Sequence, residues 1–140
     1  MRVPPILLIL SMCCSALALT LSPEDETARQ TALQWLQVVD SGNYKHAALM
    51  ISEEVRGQQD WVSYLNAQRA PLRGVNKRQN GNLKHTSTIP GIPGVRNYVV
   101  VEFKTSFERR PVATEEVVMA KMGCCWEVSG YSIATVTNNR

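Results

Sequence analysis

The sequence predicts an α+β domain in which N-terminal helices pack on a curved antiparallel sheet of three to four strands. Apolar residues recur at helical spacing through the first half of the chain and alternate at strand spacing in the second half. The two patterns do not interleave. Helices that precede a run of strands are typical of an α+β architecture, whereas strands alternating with helices would indicate a parallel sheet.

The longest helix is expected to follow Ser22. That residue is suited to cap the helix, and Pro23 takes the first helical position. Three acidic residues follow, where the positive end of the helix dipole stabilises their negative charge. Apolar residues then return every three or four positions up to Val39. Gly42 can close the helix in the left-handed conformation. The pattern predicts one amphipathic helix that stops at residues 40–42.

Two shorter helices are expected next. Asn43 can cap the first, whose apolar residues run from Tyr44 to Ile51. The second begins at about Gln58 and ends before Pro71, because the residue before a proline avoids helical backbone angles. The N-terminal half is therefore predicted to be helical.

The chain changes to strand patterns after Pro71. Residues 75–79 are a polar strand candidate, Asn80-Gly81 is a turn signal, and residues 90–94 form a rigid loop of prolines and glycines. From Asn97 to Phe107 the residues alternate between two faces. The predicted core face carries Val99, Val101, Phe103, Thr105 and Phe107.

Two more strands complete the predicted sheet, at about 115–122 and 125–135, joined in a tight hairpin through Gly123. In the last strand, Trp126 and Val128 are two positions apart and would face the same side, whereas Tyr131 would face the other side of a regular strand. We therefore expect a β-bulge at Gly130 that resets the register.

Length and composition suit one domain. The chain has 140 residues, of which 44% are hydrophobic and 19% charged, and a mean hydropathy of -0.15. These values are too apolar for a disordered acidic or basic tail. We expect a single domain over residues 19–140, with its core at about 28–133, after a signal peptide over residues 1–18.

The signal peptide is predicted from Arg2 and the apolar stretch behind it, which ends in the small-x-small sequence Ala16-Leu17-Ala18. Cleavage after Ala18 makes the protein exported, periplasmic or secreted, with no stable membrane span. An uncleaved anchor is the alternative, although the stretch is near the lower length limit for a bilayer span. A lipid-modified Cys13 or Cys14 is a further alternative, but neither is preceded by a suitable small residue.

Cleavage leaves two cysteines, Cys124 and Cys125, which are adjacent. A bond between neighbours closes a strained eight-membered ring, so it does not cross-link a loop of the chain. Neighbouring strand residues also face opposite ways, which is expected to separate the two thiols. Metal or redox chemistry at this pair is kept as an alternative, although zinc sites use three or four ligands.

Several motifs in order resemble the DUF4019 family, a set of exported bacterial domains of unknown function. The motifs are Trp35, Asp40-x-Gly42-x-Tyr44, Trp61, Arg69-x-Pro71-Leu72, Pro90-Gly91-x-Pro93, the strand from Tyr98 to Phe107, and Trp126-x-Val128-x-Gly130-Tyr131. The resemblance spans about residues 28–133. It implies a roll similar to the cystatin-like and NTF2-like folds and brings no activity, catalytic residue, metal or cofactor.

The chain departs from the family at two places. Arg73 stands directly after the Pro-Leu pair, where the family usually has glycine, and Gly123-Cys124-Cys125 replaces a polar turn. A role for the cysteines would therefore belong to this protein and not to the family.

Trp61, Arg69 and Tyr131 form the predicted ligand pocket. By analogy with the fold, the aromatic side chains line the open end of the roll and Arg69 supplies a fixed charge for an anionic group. An enzyme of this fold class would use Asp40, His46, His85 or Tyr131 in such a pocket. No spacing among them matches a catalytic motif, so no catalytic residue is assigned.

Five basic residues and no acids lie between Arg69 and Lys84. A charged edge strand that resists aggregation explains them. The stretch lacks the aromatic platforms of a nucleic-acid binder, so we expect no such partner. A homodimer is expected through the open sheet face that carries Tyr98, Val100, Glu102 and Lys104.

The sequence as a whole favours an exported, non-enzymatic domain that binds a small ligand or an envelope protein. The alternatives are a small NTF2-like enzyme with an Asp or His in its pocket, and a thiol-dependent metal or redox protein.

Overall fold

The computed structural model describes residues 21–135. The predicted signal peptide and its cleavage site lie outside this range. Four helices span Pro23–Asp40 (α1), Tyr44–Leu49 (α2), Glu53–Arg56 (α3) and Trp61–Arg69 (α4). Four strands span Val75–Thr86 (β1), Tyr98–Phe107 (β2), Arg110–Met122 (β3) and Cys125–Thr135 (β4). The strands form one antiparallel sheet in the order β1-β2-β3-β4, which confirms the α+β class.

Helix α1 has the predicted ends. The Ser22 side chain accepts a hydrogen bond from the backbone N–H of Asp25 at 3.1 Å, and Pro23 begins the helix. At the other end Gly42 has φ +80°, a conformation that a residue with a Cβ rarely adopts. The buried stripe of the helix, from Ala28 to Val39, packs on the sheet.

The later helices differ in detail from the prediction. Helix α2 is capped by Asn43 as expected, but Ile51 lies beyond it and forms a parallel bridge with Val128 of β4. The short helix α3 was not predicted. After α4 the chain makes a 3-10 turn at Ala70–Leu72 that includes Pro71, because proline is tolerated in the first turn of a helix.

The turn predicted at Asn80-Gly81 is wrong, because β1 continues from Val75 to Thr86. The pairing with β2 shifts register between Asn80 and Leu83. A Cβ added to Gly81 would lie 1.5 Å from the backbone oxygen of Glu102. Glycine is used here for close approach of two strands, and the pairing along β2 outweighs the local turn preference.

The rest of the sheet follows the predicted pattern. All five residues of the β2 core face are buried. Val118 pairs with Gly130 while Met119 pairs with Val128, so Ser129 is an extra residue in β4. This confirms the bulge. Strand β3 starts at Arg110, earlier than predicted.

The outer face of the sheet is less open than predicted. Tyr98 was expected to be exposed there, but it is only 2% exposed. The loop between β1 and β2 covers part of this face, since its Ile89 and Pro90 line a cavity together with Val100 and Val118. The homodimer stays a prediction.

The β4 edge is occupied by the helical layer. The backbone N–H of Ser52 donates to the carbonyl of Val128 at 2.7 Å, and the Tyr64 hydroxyl donates to the carbonyl of Tyr131 at 2.5 Å. Backbone groups that another chain could pair with are thereby satisfied. Strand β1 forms the opposite edge. Within residues 21–135, no helix has the length and apolar character needed to cross a membrane.

Candidate functional site

A cluster of charged side chains lies between α1, α4 and the sheet, and is called the charge cluster below. It consists of Asp40, Arg69, Arg78, Glu115 and Tyr131. Asp40 ends α1, Arg69 ends α4, and the other three come from β1, β3 and β4. The two arginines and two carboxylates balance in charge, as a cluster removed from water requires.

Asp40 stands at the negative end of the α1 dipole, which is unfavourable for a carboxylate. Two arginines compensate: Nη2 of Arg69 donates to Oδ1 at 2.7 Å, and Nη1 of Arg78 donates to Oδ2 at 2.7 Å. Burial alone would raise the pKa of Asp40, but the hydrogen bonds and charges of Arg78 and Arg69 together hold that pKa below its usual value.

Glu115 is fully buried. Its Oε1 accepts from Arg78 Nε at 2.8 Å and from the Thr105 hydroxyl at 2.6 Å, and its Oε2 accepts from the Tyr131 hydroxyl. Burial, and then the negative charge of Glu115, raise the pKa of Tyr131 well above its usual value. The phenol therefore stays a hydrogen-bond donor to the carboxylate.

Arg69 is 3% exposed and lies over the ring of Phe107, with its guanidinium carbon 4.9 Å from the ring centre. Its Nη1 is 3.6 Å from Oε2 of Glu115. Within residues 21–135, neither Nη1 nor Nε has a hydrogen-bond partner. The cluster is thus compact and leaves two donors of Arg69 unsatisfied.

The predicted pocket residues are partly brought together. Arg69 and Tyr131 meet through Glu115, whereas Trp61 stands at the start of α4, with its indole N–H donating to the carbonyl of Val55 at 3.1 Å. Whether the three bind a ligand stays a prediction. Sequence reasoning missed Glu115 and Arg78. The alternation Ala113, Glu115, Val117, Met119 was the signal, since it places a carboxylate on the core face of β3.

The candidate catalytic residues are dispersed. Asp40 and Tyr131 belong to the charge cluster, but His46 is exposed on α2. His85, on β1, is 64% exposed at its side chain and lies 3.0 Å from Asp25. The structure does not bring either histidine to Asp40 or Tyr131.

A cavity of about 680 Å³ lies elsewhere, between α1, the α2–α3 segment and the start of β4. We call it the Trp126 cavity. Its apolar lining consists of Trp35, Met50, Ile51, Met122, Trp126 and Val128. Leu49, which is 62% exposed, also lines it. The size and apolar lining are typical of a small-molecule site.

The charged lining of the Trp126 cavity is mostly acidic. Glu53, Glu54 and Glu127 line it with one cation, Arg56. Arg56 donates through Nε and Nη2 to the carbonyl of Ile51, at 3.2 Å and 2.9 Å, and Glu54 is paired with Arg96. The charges around the cavity therefore disfavour an anion.

Trp126 carries an unsatisfied donor. The residue is 7% exposed, and its buried indole Nε1 has no hydrogen-bond partner in the part of the chain that the structure describes. Buried donors are nearly always paired, so this nitrogen is an exception. The nearby Lys121 ammonium lies 5.2 Å from the centre of the same ring.

The two cysteines form a disulfide at the hairpin between β3 and β4. The prediction that strand geometry separates them is wrong, because Cys124 belongs to the turn and Cys125 begins the strand. Both residues are exposed. Across residues 21–135, no group of three or more His, Cys, Asp or Glu side chains is arranged to hold a metal ion.

Comparisons with known proteins give one match. Residues 31–131 match a family model described as "Protein of unknown function (DUF4019)". Neither the curated proteins nor the solved structures gave a match.

Proposed function

The chain belongs to the DUF4019 family, and from that premise we propose that it is a non-enzymatic domain that binds a small ligand in the Trp126 cavity. One observation carries the proposal: a cavity of about 680 Å³ with an apolar lining contains a tryptophan whose buried N–H has no partner among the described residues. Pockets that combine apolar walls with a few polar groups are the usual form of ligand sites.

The lining defines the class of ligand. Leu49, Met50 and Met122 offer adaptable apolar surface, whereas Trp35 is fully buried and Trp126 is 7% exposed. A ligand acceptor such as a carbonyl would satisfy the N–H of Trp126 if binding uncovers the buried nitrogen. Because the charged lining is mostly acidic, we expect a neutral or cationic molecule with an apolar ring or chain and one acceptor.

The exposed apolar residues at the mouth support the same assignment. Leu49 and Met50 are 62% and 39% exposed, and both line the cavity. Exposed apolar side chains that border a cavity are more informative than scattered ones. We place the site here and not at Arg69 and Tyr131, because those two side chains are bound to carboxylates of the charge cluster.

The test uses prodan, a neutral naphthalene with one ketone carbonyl, whose fluorescence reports an apolar environment. We expect a saturable rise in emission that corresponds to one site per chain. Met50→Asp places a carboxylate among the apolar side chains of the mouth and is expected to weaken binding roughly tenfold. Val95→Asp is the matched control, since Val95 is 78% exposed and does not line the cavity.

Trp126→Phe tests the hydrogen bond itself. It keeps most of the apolar surface and removes the N–H, and we expect affinity for prodan to fall about fivefold. Linear, unsaturable emission from the wild-type protein would contradict the proposal. Equal losses from Met50→Asp and Val95→Asp would show that prodan binds at another place.

Export is part of the proposal and rests on the N-terminal sequence. The protein purified from an envelope fraction should have the mass of a chain without residues 1–18. A mass that includes them would favour the anchor, and an added lipid on Cys13 or Cys14 would favour a lipoprotein.

A further inference from the structure

We propose that the Cys124–Cys125 disulfide is a thiol–disulfide exchange site for small thiols, and that its redox state controls ligand binding in the Trp126 cavity. The second half of this inference rests on the proposed function. The exchange reaction does not.

The position of the disulfide shows that it does not hold the fold together. A cross-link stabilises a protein mainly by closing a loop in the unfolded chain, and adjacent residues enclose none. The β3–β4 hairpin is already closed by the pair Met122 and Cys125 at the end of its ladder. Opening the bond therefore leaves the sheet and its core contacts in place.

The surroundings of the disulfide favour exchange. Both cysteines are exposed at the tip of the hairpin, so a small thiol reaches either sulfur without unfolding of the domain. Exposed disulfides are more easily reduced than buried structural ones. Because Cys124 and Cys125 are adjacent, the two thiols of the reduced form stay within reach of each other and can reform the bond.

The reaction balances with a dithiol as the reductant. One thiolate of the dithiol attacks Sγ of Cys124 or Cys125, the protein S–S bond breaks, and the other cysteine leaves as a thiolate that takes up a proton. The second thiolate of the dithiol then attacks the reagent's own sulfur in the mixed disulfide, the bond to the protein breaks, and the second cysteine leaves as a thiolate that also takes up a proton. The protein gains two electrons and two thiols, and the reductant leaves as its cyclic disulfide.

The same hairpin tip carries two walls of the Trp126 cavity. Trp126 directly follows the disulfide, and Met122 precedes it by two residues. Arg96 joins Met122 to the opposite wall, since its Nη1 donates to the Met122 sulfur at 3.2 Å and its Nη2 pairs with Glu54 of α3. The disulfide ring thus fixes a segment that forms one side of the site.

Reduction is expected to weaken binding. It releases Cys124 and Cys125 from the eight-membered ring, so Met122 and Trp126 lose part of the constraint that holds them in position. A less preorganised site requires more ordering when the ligand enters, which lowers affinity. We expect the reduced protein to bind prodan roughly fivefold more weakly than the oxidised protein.

The exchange is measured by equilibrating the protein with mixtures of reduced and oxidised dithiothreitol. The reaction is quenched with acid, free thiols are alkylated, and the modified peptide is identified by mass. We expect Cys124 and Cys125 to be alkylated together at a high proportion of reductant and to be protected again after transfer to excess oxidised glutathione, which is reduced as the bond reforms. The circular dichroism spectrum should remain unchanged throughout.

Two variants isolate the pair. Cys125→Ser leaves one thiol, which should attack oxidised glutathione and release one molecule of glutathione, so that a mixed disulfide appears as an added mass on Cys124. The double variant Cys124→Ser, Cys125→Ser should bind prodan as the reduced wild-type protein does, and a dithiol should not change its affinity.

The possible outcomes distinguish three statements: the exchange at the disulfide, the redox control of the cavity, and the proposed ligand binding. A disulfide that resists excess dithiothreitol, or that does not reform, overturns the exchange site. Reversible exchange with equal affinity for prodan in both forms overturns the control of the cavity. If neither the oxidised nor the reduced protein binds prodan, both the proposed function and the redox control of the cavity are contradicted. The alkylation result still decides whether the disulfide exchanges.

Discussion

Arg78 and Glu115 are 37 positions apart and lie on strands that are not neighbours, yet Nε of Arg78 donates to Oε1 of Glu115 at 2.8 Å. They meet across β2, where Thr105 pairs with Arg78 in the sheet and donates its hydroxyl to the same carboxylate oxygen. Because this ion pair spans three strands, contacts to one carboxylate help to hold all three strands in register.

Glu115→Gln is expected to lower the free energy of unfolding by about 3 to 5 kcal/mol, because it leaves Asp40 as the single carboxylate that neutralises both Arg69 and Arg78 in the charge cluster. Urea denaturation measures the loss. Glu116→Gln is the control at the adjacent, partly exposed position of β3, and is expected to change stability by less than about 0.5 kcal/mol. Equal effects at the two positions would contradict a special role for the buried pair.

Acid should weaken the fold through Asp40. Its pKa is held below the ordinary value of 3.8, so its contribution to stability is complete above that value and is lost as the pH falls through the folded-state pKa. Urea midpoints of the wild type and Asp40→Asn should therefore converge as the pH falls below about 4. A constant difference between the two proteins down to the acid transition would show that Asp40 is not responsible.

Alkali should weaken the fold through Tyr131. Its pKa in the folded protein is raised above the ordinary value of 10.0, so its contribution is complete below that pH and declines as the pH rises above it. Tyr131→Phe should lower stability at neutral pH by about 1.5 to 3 kcal/mol, the usual effect of losing a hydrogen bond to a charged group. It should also flatten the alkaline decline, and the remaining slope should reflect Tyr64, whose pKa burial also raises.

Arg73→Gly should stabilise the protein. Arg73 has φ +64° and ψ -148°, a region of backbone angles that glycine adopts freely and that costs other residues about 1 to 3 kcal/mol. Part of that gain is offset by the greater freedom of glycine in the unfolded chain, so we expect a net increase of about 1 kcal/mol. Thermal unfolding followed by circular dichroism measures it, and a lower melting temperature would contradict the assignment of strain to Arg73.

Gly81→Ala should destabilise the protein by at least about 2 kcal/mol, because its Cβ would overlap the backbone of Glu102 and β1 would have to separate from β2. Gly57→Ala is the matched control. Gly57 has φ -81°, and nothing lies within 4 Å of its added Cβ. That substitution should be neutral or stabilising by up to about 1 kcal/mol.

The sequence predicted the elements whose signals are local. Ser22, Pro23 and Gly42 fix the ends of α1 through caps and backbone preferences that act within one turn. The alternation in β2 identified its buried face because one side of that strand meets the helices. The turn at Asn80-Gly81 failed since the pairing of β1 with β2 is non-local and outweighs the preference of two residues.

The sites were harder to predict because they join distant parts of the chain. Arg69 was predicted to supply the charge of a ligand pocket and Arg78 to belong to a charged edge, whereas the fold brings both to Asp40 and Glu115. The burial of Glu115 could have been predicted, because this residue alternates with the apolar residues on the core face of β3. Nothing in the sequence placed Met50 beside Met122 and Trp126, because the Trp126 cavity depends on how α2 and α3 lie against the hairpin.

The hydrogen bond between Tyr131 and Glu115 also sets an order of events during synthesis. The carboxylate is buried in a sheet that is completed by the last strand, and α1 rests on that same strand. A nascent chain that has not yet reached residue 131 lacks both the phenol and the β4 surface that Trp35 packs against. Folding to the final core must therefore wait until nearly the whole of the described chain has emerged.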